Sequence, residues 1–227
     1  MNDRIDPPEK MQRAWDRMSV DYTLHTELSP ADPHYQALAA QCPVSAMPMR
    51  VLDLGSGLGF ALDAILPKLP NAQITCMDVS GEMLKGLMAR LSTERGRINT
   101  WHQSYVDADL GRSKFDLIIS SFTMHHLMEA AKRSVYQKIC SALADNGRYI
   151  ELDGVASPEQ ELSMKLEFEQ QLSHQDGSDR GEWNFDLLLT IQNQERLLRQ
   201  AGFASVEVPW TDVDETGRGR AVFVARS

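Results

Sequence analysis

The stretch Val51-Leu52-Asp53-Leu54-Gly55-Ser56-Gly57-Leu58-Gly59-Phe60 reads as a buried strand that runs into a glycine turn and then a helix. Glycines at that junction let the backbone approach a ligand closely, and the first turn of the following helix offers free N–H groups. Asp53 stands two residues before the first glycine, where a dinucleotide site carries an apolar strand residue. Phe60 stands three after the second glycine, where the dinucleotide fingerprint needs glycine or alanine. Both departures argue against NAD. A carboxylate at a strand tip suits a ligand with an ammonium group and would repel a pyrophosphate.

Working outward, the same rhythm repeats. Residues 49–54 form the first strand and 60–69 its helix. Residues 72–77 form a second strand, and Ser80 caps a helix whose apolar stripe is Met83, Leu84, Leu87, Met88 and Leu91. Further strands are expected at 98–103, 115–121 and 147–152, with a helix over 130–143. Alternating strands and helices predict an α/β fold with a mostly parallel sheet covered on both faces. Right-handed crossovers then bring all the strand C-termini to one edge. Asp78 lies at such an end, 19 residues after Gly59, where an open α/β sheet presents a carboxylate to the two hydroxyls of a ribose.

The flanks are helical first and mixed later. Met11, Trp15 and Met18 recur at helical spacing within 7–40, and Asp32-Pro33 starts a second helix. Ser157-Pro158-Glu159-Gln160 is a capping box opening a helix to about 172. Residues 173–182 read as a polar loop or lid hinge, and 185–201 as a helix stopped by Gly202. Two last strands, 205–208 and 221–225, are joined by a polar connection opening at Pro209. The expected organisation is one domain over 1–227: an N-terminal helical cap (1–45), a cofactor-binding core (46–153), a helical insertion or lid (154–183) and a C-terminal helix with strands (184–227).

Composition narrows the class. A net charge of -9 argues against a nucleic-acid partner, because phosphate binding draws on clustered Lys and Arg. No apolar run reaches the roughly 18 residues that span a bilayer, and the polar start lacks a signal-peptide core, which predicts a cytoplasmic protein without a membrane partner. The 3 cysteines, Cys42, Cys76 and Cys140, form no CxxC pair and are expected to be reduced. No metal is expected: His25, His34, His102 and His174 lack ligand spacing, and adjacent His125 and His126 read as a poor chelating pair.

Asp53 with its glycine loop, Asp78, and the run Phe115-Asp116-Leu117-Ile118-Ile119-Ser120-Ser121-Phe122-Thr123-Met124-His125-His126-Leu127 together resemble the class I S-adenosylmethionine-dependent methyltransferases, in their small-molecule branch. The resemblance runs from about Trp15 to the C-terminus. It implies a Rossmann-like, seven-stranded sheet with a C-terminal antiparallel hairpin. It also implies that Asp53 lies near the methionine ammonium, Gly55, Ser56 and Gly57 along the methionine and ribose, Asp78 on the ribose hydroxyls, and Val79 and Met83 beside the adenine. Where many relatives carry an acid facing the adenine amino group, this chain has Gln103-Ser104-Tyr105, so Ser104 is the expected contact. Asp107 and Asp109 are expected to be solvated. Ser120 and Ser121 would sit near the sulfonium; His126 is expected to pack, and His125 either to face the substrate as base or orienter or to make a structural hydrogen bond. Trp15 to Tyr22 resembles a cap helix, with Tyr22 reaching cofactor or acceptor.

The expected reaction is methyl transfer from S-adenosylmethionine to a small-molecule acceptor by in-line displacement, giving S-adenosylhomocysteine. Alignment and exclusion of water are then the protein's main tasks. The alternatives are methylation of a protein or tRNA, a noncatalytic binding module and an NAD-dependent oxidoreductase. The expected state is monomer or homodimer.

Overall fold

A computed structural model describes residues 12, 15–17, 31–173 and 186–227, the side chains of 168–173 excepted. Its centre is a seven-stranded sheet in the order β3-β2-β1-β4-β5-β7-β6. The strands are β1 (Arg50–Leu54), β2 (Gln73–Asp78), β3 (Ile98–His102), β4 (Phe115–Ser121), β5 (Leu143–Val155), β6 (Ser205–Val213) and β7 (Gly219–Arg226). The helices are α1 (Pro33–Gln41), α2 (Phe60–Ile65), α3 (Gly81–Arg90), α4 (Glu129–Ala142), α5 (Pro158–Ser173) and α6 (Ile191–Gln200). Strands β1 to β5 pair in parallel, whereas β7 pairs antiparallel with both β5 and β6.

The central strands are near-continuous apolar runs because both faces are buried. Val51, Leu117 and Ile119 pack on one face with Leu38, Leu62, Ile65 and Leu87 from α1, α2 and α3. Leu52, Leu54 and Ile118 pack on the other with Tyr136, Ile139, Leu197 and Leu198 from α4 and α6. Strand order reverses direction between β1 and β4, and that is where an open sheet leaves a crevice beyond its C-terminal edge. Among the described residues no helix is long and apolar enough to cross a membrane.

Several boundaries move for physical reasons. The second helix does start at Asp32-Pro33, with proline in its first turn, and Ser80 caps α3 by accepting from the Met83 N–H at 3.1 Å. The helix after the first strand tightens into a 3-10 turn at Leu66–Lys68, where Pro67 interrupts it. The helix expected over 185–201 begins only at Ile191, capped by the Thr190 hydroxyl. Just before it the chain is extended, with Leu189 bridging Val155 and the Leu187 N–H bonded to the His125 carbonyl. The sixth strand does not stop at Pro209: it runs to Val213 through an irregularity between Glu207 and Trp210. Being on the sheet edge, β6 tolerates a residue that donates no ladder bond. The fifth strand is longer than 147–152 at both ends. Met11, Met18, Tyr22, His25, His174 and the polar stretch 174–182 lie outside the described residues.

Beneath α4 and α6 lies a buried polar knot. The Tyr136 and Tyr149 hydroxyls each donate to Glu151 Oε2 at 2.8 Å, and the Gln194 amide donates to Oε1. Lys132, also buried, is the nearby cation. Burial and the neighbouring Asp153 push the Glu151 carboxyl from 4.5 up to about 7, against the pull of Lys132 and the two tyrosines. A raised carboxyl favours the protonated form in the fold, so its stabilising share is complete below about pH 4.5 and lost as pH rises through about 7. Glu151→Gln is therefore expected to gain on the wild type between pH 5 and pH 8, by at most about 3 kcal/mol or several degrees in Tm. A thermal melt series that shows a constant difference over that range would argue against the assignment.

Candidate active site

The loop after β1 is shaped by backbone geometry that only glycine adopts cheaply. Gly55 has φ +62°, and a Cβ there would collide with the Thr123 side chain; Gly59, at φ +75°, starts α2. Ser56 N–H bonds back to the Met77 carbonyl at 3.0 Å, tying the loop to β2. Asp78, at the tip of β2, completes the tie: Oδ2 accepts from Gly57 N–H and Oδ1 from Ser80 N–H, both at 2.8 Å. Burial raises the Asp78 carboxyl above its ordinary value, and these backbone bonds pull it partly back.

Asp53 differs in kind. It is 1% exposed, and neither carboxylate oxygen has a hydrogen-bond partner; the Ser56 hydroxyl is likewise buried and unpartnered. Burial, then the charge of Asp78, pushes the Asp53 carboxyl well above the usual range. Buried polar groups are normally paired, so a carboxylate and a hydroxyl left open beneath a glycine loop mark a place where a ligand completes the bonding.

Above them opens a cavity of about 290 Å³. Gly55, Ser56, Gly57, Asp78, Val79, Met83 and Ser104 line it, as does Ser121, so eight of the ten expected cofactor contacts line the cavity, while Asp53 lies behind the lining residues. Ser104 is occupied in part, its Oγ accepting from the Val106 N–H at 3.2 Å. Ser120 does not reach the cavity. Its side chain points under the sheet edge, 2.7 Å from the Tyr149 hydroxyl, because residues alternate faces along β4.

Of the two histidines, His125 makes the structural hydrogen bond that is one of its two expected readings, and His126, expected to pack, lines the cavity. His125 does not line the cavity: its backbone N–H and Nδ1 both meet Asp153, at 2.9 and 2.5 Å, pinning the turn after β4 to the tip of β5. Burial by itself would lower the His125 pKa, but Asp153 and then Asp186 raise it above the ordinary value, which favours imidazolium. His126 does line the cavity, with Trp15 edge-on at 5.0 Å and Nδ1 3.1 Å from Asp186 Oδ1. Burial keeps His126 below the usual imidazole range, with Asp186 opposing. A neutral ring that donates Nδ1–H to Asp186 keeps the Nε2 lone pair free. The rings do not diverge, either: on the 3-10 turn Met124–His126 their centroids are 4.0 Å apart, and with Asp186 they bring three ligand-type atoms within 4.8 Å of one another.

Other lining residues were not singled out as site residues in the sequence. His34 and Tyr35 arrive from α1, Tyr105 from the loop after β3, Phe122 and Thr123 from the end of β4 and Arg220 from the start of β7. Phe122, at φ +50°, is a bulky residue in the left-handed region, a strain found where function over-determines the backbone. Trp15 is the described residue of the expected cap segment at the cavity. Beside it, Asp16 accepts from the Ser80 hydroxyl at 2.5 Å, which fastens the segment to the α3 cap.

With this geometry in view, residues 52–149 match the family model described as a methyltransferase domain. This part of the chain is a methyltransferase domain. The sheet order and the surrounding helices give the domain its class I, Rossmann-like form. Ribosomal RNA small subunit methyltransferase C of Haemophilus influenzae (strain PittEE) is 36% identical over 110 residues, which are 48% of this chain and 32% of that protein. Malonyl-(acyl-carrier protein) O-methyltransferase of Neorickettsia risticii (strain Illinois) is 34% identical over 82 residues, 35% of this chain and 30% of that protein. The chain thus spans about a third of the length of these curated relatives. Among solved structures, the DhpI-SAM-HEP complex superposes with a TM-score of 0.69 over 96% of this chain and 97% of that one, at 19% identity; this is a likeness of fold.

The two site carboxylates predict opposite effects on the ligand-free domain. Asp53→Asn removes a buried, unpartnered acid and is expected to raise Tm by a few degrees, on the order of 1–3 kcal/mol. Asp78→Ala strands the Gly57 and Ser80 N–H groups and is expected to lower Tm by a similar amount. Melting both variants without ligand checks this; the same sign for both would contradict the assignment.

Proposed function

We propose that the protein transfers a methyl group from S-adenosylmethionine to a small-molecule acceptor. The observation that carries this reading is Asp53, an unpartnered buried carboxylate directly beneath a glycine loop that opens into a cavity. The residues present fit the cofactor: Asp53 and Ser56 would receive the methionine ammonium, Asp78 the ribose hydroxyls, Val79 and Met83 the faces of the adenine, and Ser104 its edge. When bound, S-adenosylmethionine supplies a methyl group already activated on a positive sulfur that leaves as a neutral thioether. An apolar, partly closed cavity excludes water, and the fixed walls hold the acceptor in line.

The remaining task is the acceptor's proton. His126 is the group placed for it, neutral at working pH and oriented by Asp186; for a hydroxyl acceptor its Nε2 takes the proton as the new bond to carbon forms. His125, held by Asp153, is a positioning residue for that turn. The net charge of -9 and the enclosed cavity favour a small acceptor over RNA, although one similar protein is named for a ribosomal RNA.

Calorimetric titration with S-adenosylmethionine, S-adenosylhomocysteine and NAD tests the reading first. Saturable binding of the two sulfur nucleosides alone is expected, weakened at least tenfold by Asp53→Asn. Binding of NAD alone, or of nothing, would overturn it. With a hydroxyl acceptor, His126→Ala is expected to lower kcat about 100-fold while cofactor affinity changes little. The wild-type kcat should rise with pH to a plateau governed by a pKa below 6.5, and this limb should vanish in the variant. An unchanged pH profile in His126→Ala would remove the proposed base.

A further inference from the structure

The cavity has two chemically distinct ends. Gly57, Asp78, Val79 and Ser104 come from the ends of β1, β2 and β3 and the loops that follow them, and Met83 from the first turn of α3. The opposite side of the strand order supplies Phe122 from the end of β4 and Arg220 from β7, with His34 and Tyr35 from α1. Because β7 runs antiparallel, its first residues lie at the C-terminal edge of the parallel strands, where Arg220 pairs in register with Gly154 of β5. An arginine near the start of the last strand in sequence is thereby delivered to the mouth of the cavity.

Arg220 is exposed, and its guanidinium carbon stands 6.0 Å from the centre of the Phe122 ring. It makes no ion pair among the described residues, and Asp212, its cross-strand neighbour on β6, is not within ion-pair distance. Other arginines of the chain are engaged: Arg50 holds Asp116, Arg90 holds Asp63, and Arg97 holds Glu94. Arg95, Arg112, Arg133, Arg148 and Arg218 likewise show no ion pair among the described residues, but Arg220 is the arginine that lines the cavity. Behind it the wall is aromatic. His34 meets Tyr35 at 4.3 Å and Phe122 at 5.3 Å between ring centres, and Tyr35 meets Phe122 at 6.2 Å. Burial, followed by the field of Arg220, lowers the His34 pKa, against the opposing fields of Asp32, 3.9 Å from His34 Nε2, and Asp212.

We propose that this end of the cavity recognises the methyl acceptor, and that the acceptor carries an anionic group, a carboxylate or a phosphoryl, paired with Arg220 while its apolar part lies against Phe122 and Tyr35. A guanidinium presents a planar fork that both anions accept in bidentate form. The same charge repels a protonated amine. Arg220 is thus a specificity-determining residue, and an anion docked on it would lie across the cavity from the Asp53 and Asp78 end. This inference rests on assigning that end to S-adenosylmethionine.

The test uses the protein saturated with S-adenosylhomocysteine and titrated with four matched probes: phenylacetate, phenyl phosphate, phenylacetamide and phenethylamine. At least one anion is expected to bind tenfold or more tightly than the amide and the amine; which anion wins identifies carboxylate or phosphoryl. Arg220→Ala should abolish that preference and Arg220→Lys should retain part of it, with S-adenosylhomocysteine affinity within twofold of wild type in both. Equal binding of all four probes, failure of both anions to bind, or an anion preference that survives Arg220→Ala would overturn the proposal while leaving the cofactor reading intact. Failure of S-adenosylhomocysteine to bind the wild type would overturn both.

Discussion

Asp78 is the joint on which the site depends. Its two oxygens each take one backbone N–H, from Gly57 in the loop after β1 and from Ser80 at the start of α3. A loop of left-handed residues has few internal bonds, so its distance from the second strand is set by this clamp together with the Ser56 N–H bond to the Met77 carbonyl. The clamp holds Gly57 at the cavity wall, keeps the α3 cap in place and, through Ser80, gives Asp16 of the N-terminal segment something to hold. The carboxylate whose two oxygens each accept a backbone N–H organises the loop, and Asp53, at the end of the neighbouring strand, is left open.

A similar division between a bonded and an open group recurs at the turn after β4. Asp153 is saturated by His125 and the Gly154 N–H, which locks the turn after β4 to β5. His126, one residue on, is left with a free face toward the cavity, and Asp186 orients its ring. Electrostatics separate the neighbours, raising the pKa of one and lowering that of the other. Two adjacent imidazoles therefore meet different surroundings, one bonded to Asp153 and the other lining the cavity beside Asp186.

Buried charge is concentrated under β5, where Lys132, Glu151 and Asp153 lie together with Tyr136, Tyr149 and Gln194. Such a network contributes little net stability but excludes alternative packings when every partner is bonded. It sits beneath the tip that carries Asp153 and beside Ser120, whose hydroxyl it engages through Tyr149. The floor of the site is thereby fixed by the core rather than by surface loops.

The sequence by itself determined the alternating architecture, the strand–glycine–helix unit and the two carboxylates Asp53 and Asp78, because these follow from local periodicity and from backbone conformations that few residues adopt. It also located the caps at Ser80 and Asp32-Pro33, which are short-range hydrogen-bond and φ preferences. Tertiary structure alone decided which of His125 and His126 faces the cavity, since a 3-10 turn and two distant acids, Asp153 and Asp186, fix the rings. It alone removed Ser120 from the wall through the alternation of β4, and carried β6 past Pro209 because an edge strand can spare a donor. Arg220, His34 and Tyr35 were invisible in sequence for the same reason: they meet only because β7 runs antiparallel and α1 packs across the sheet, and no local pattern records which distant elements become neighbours.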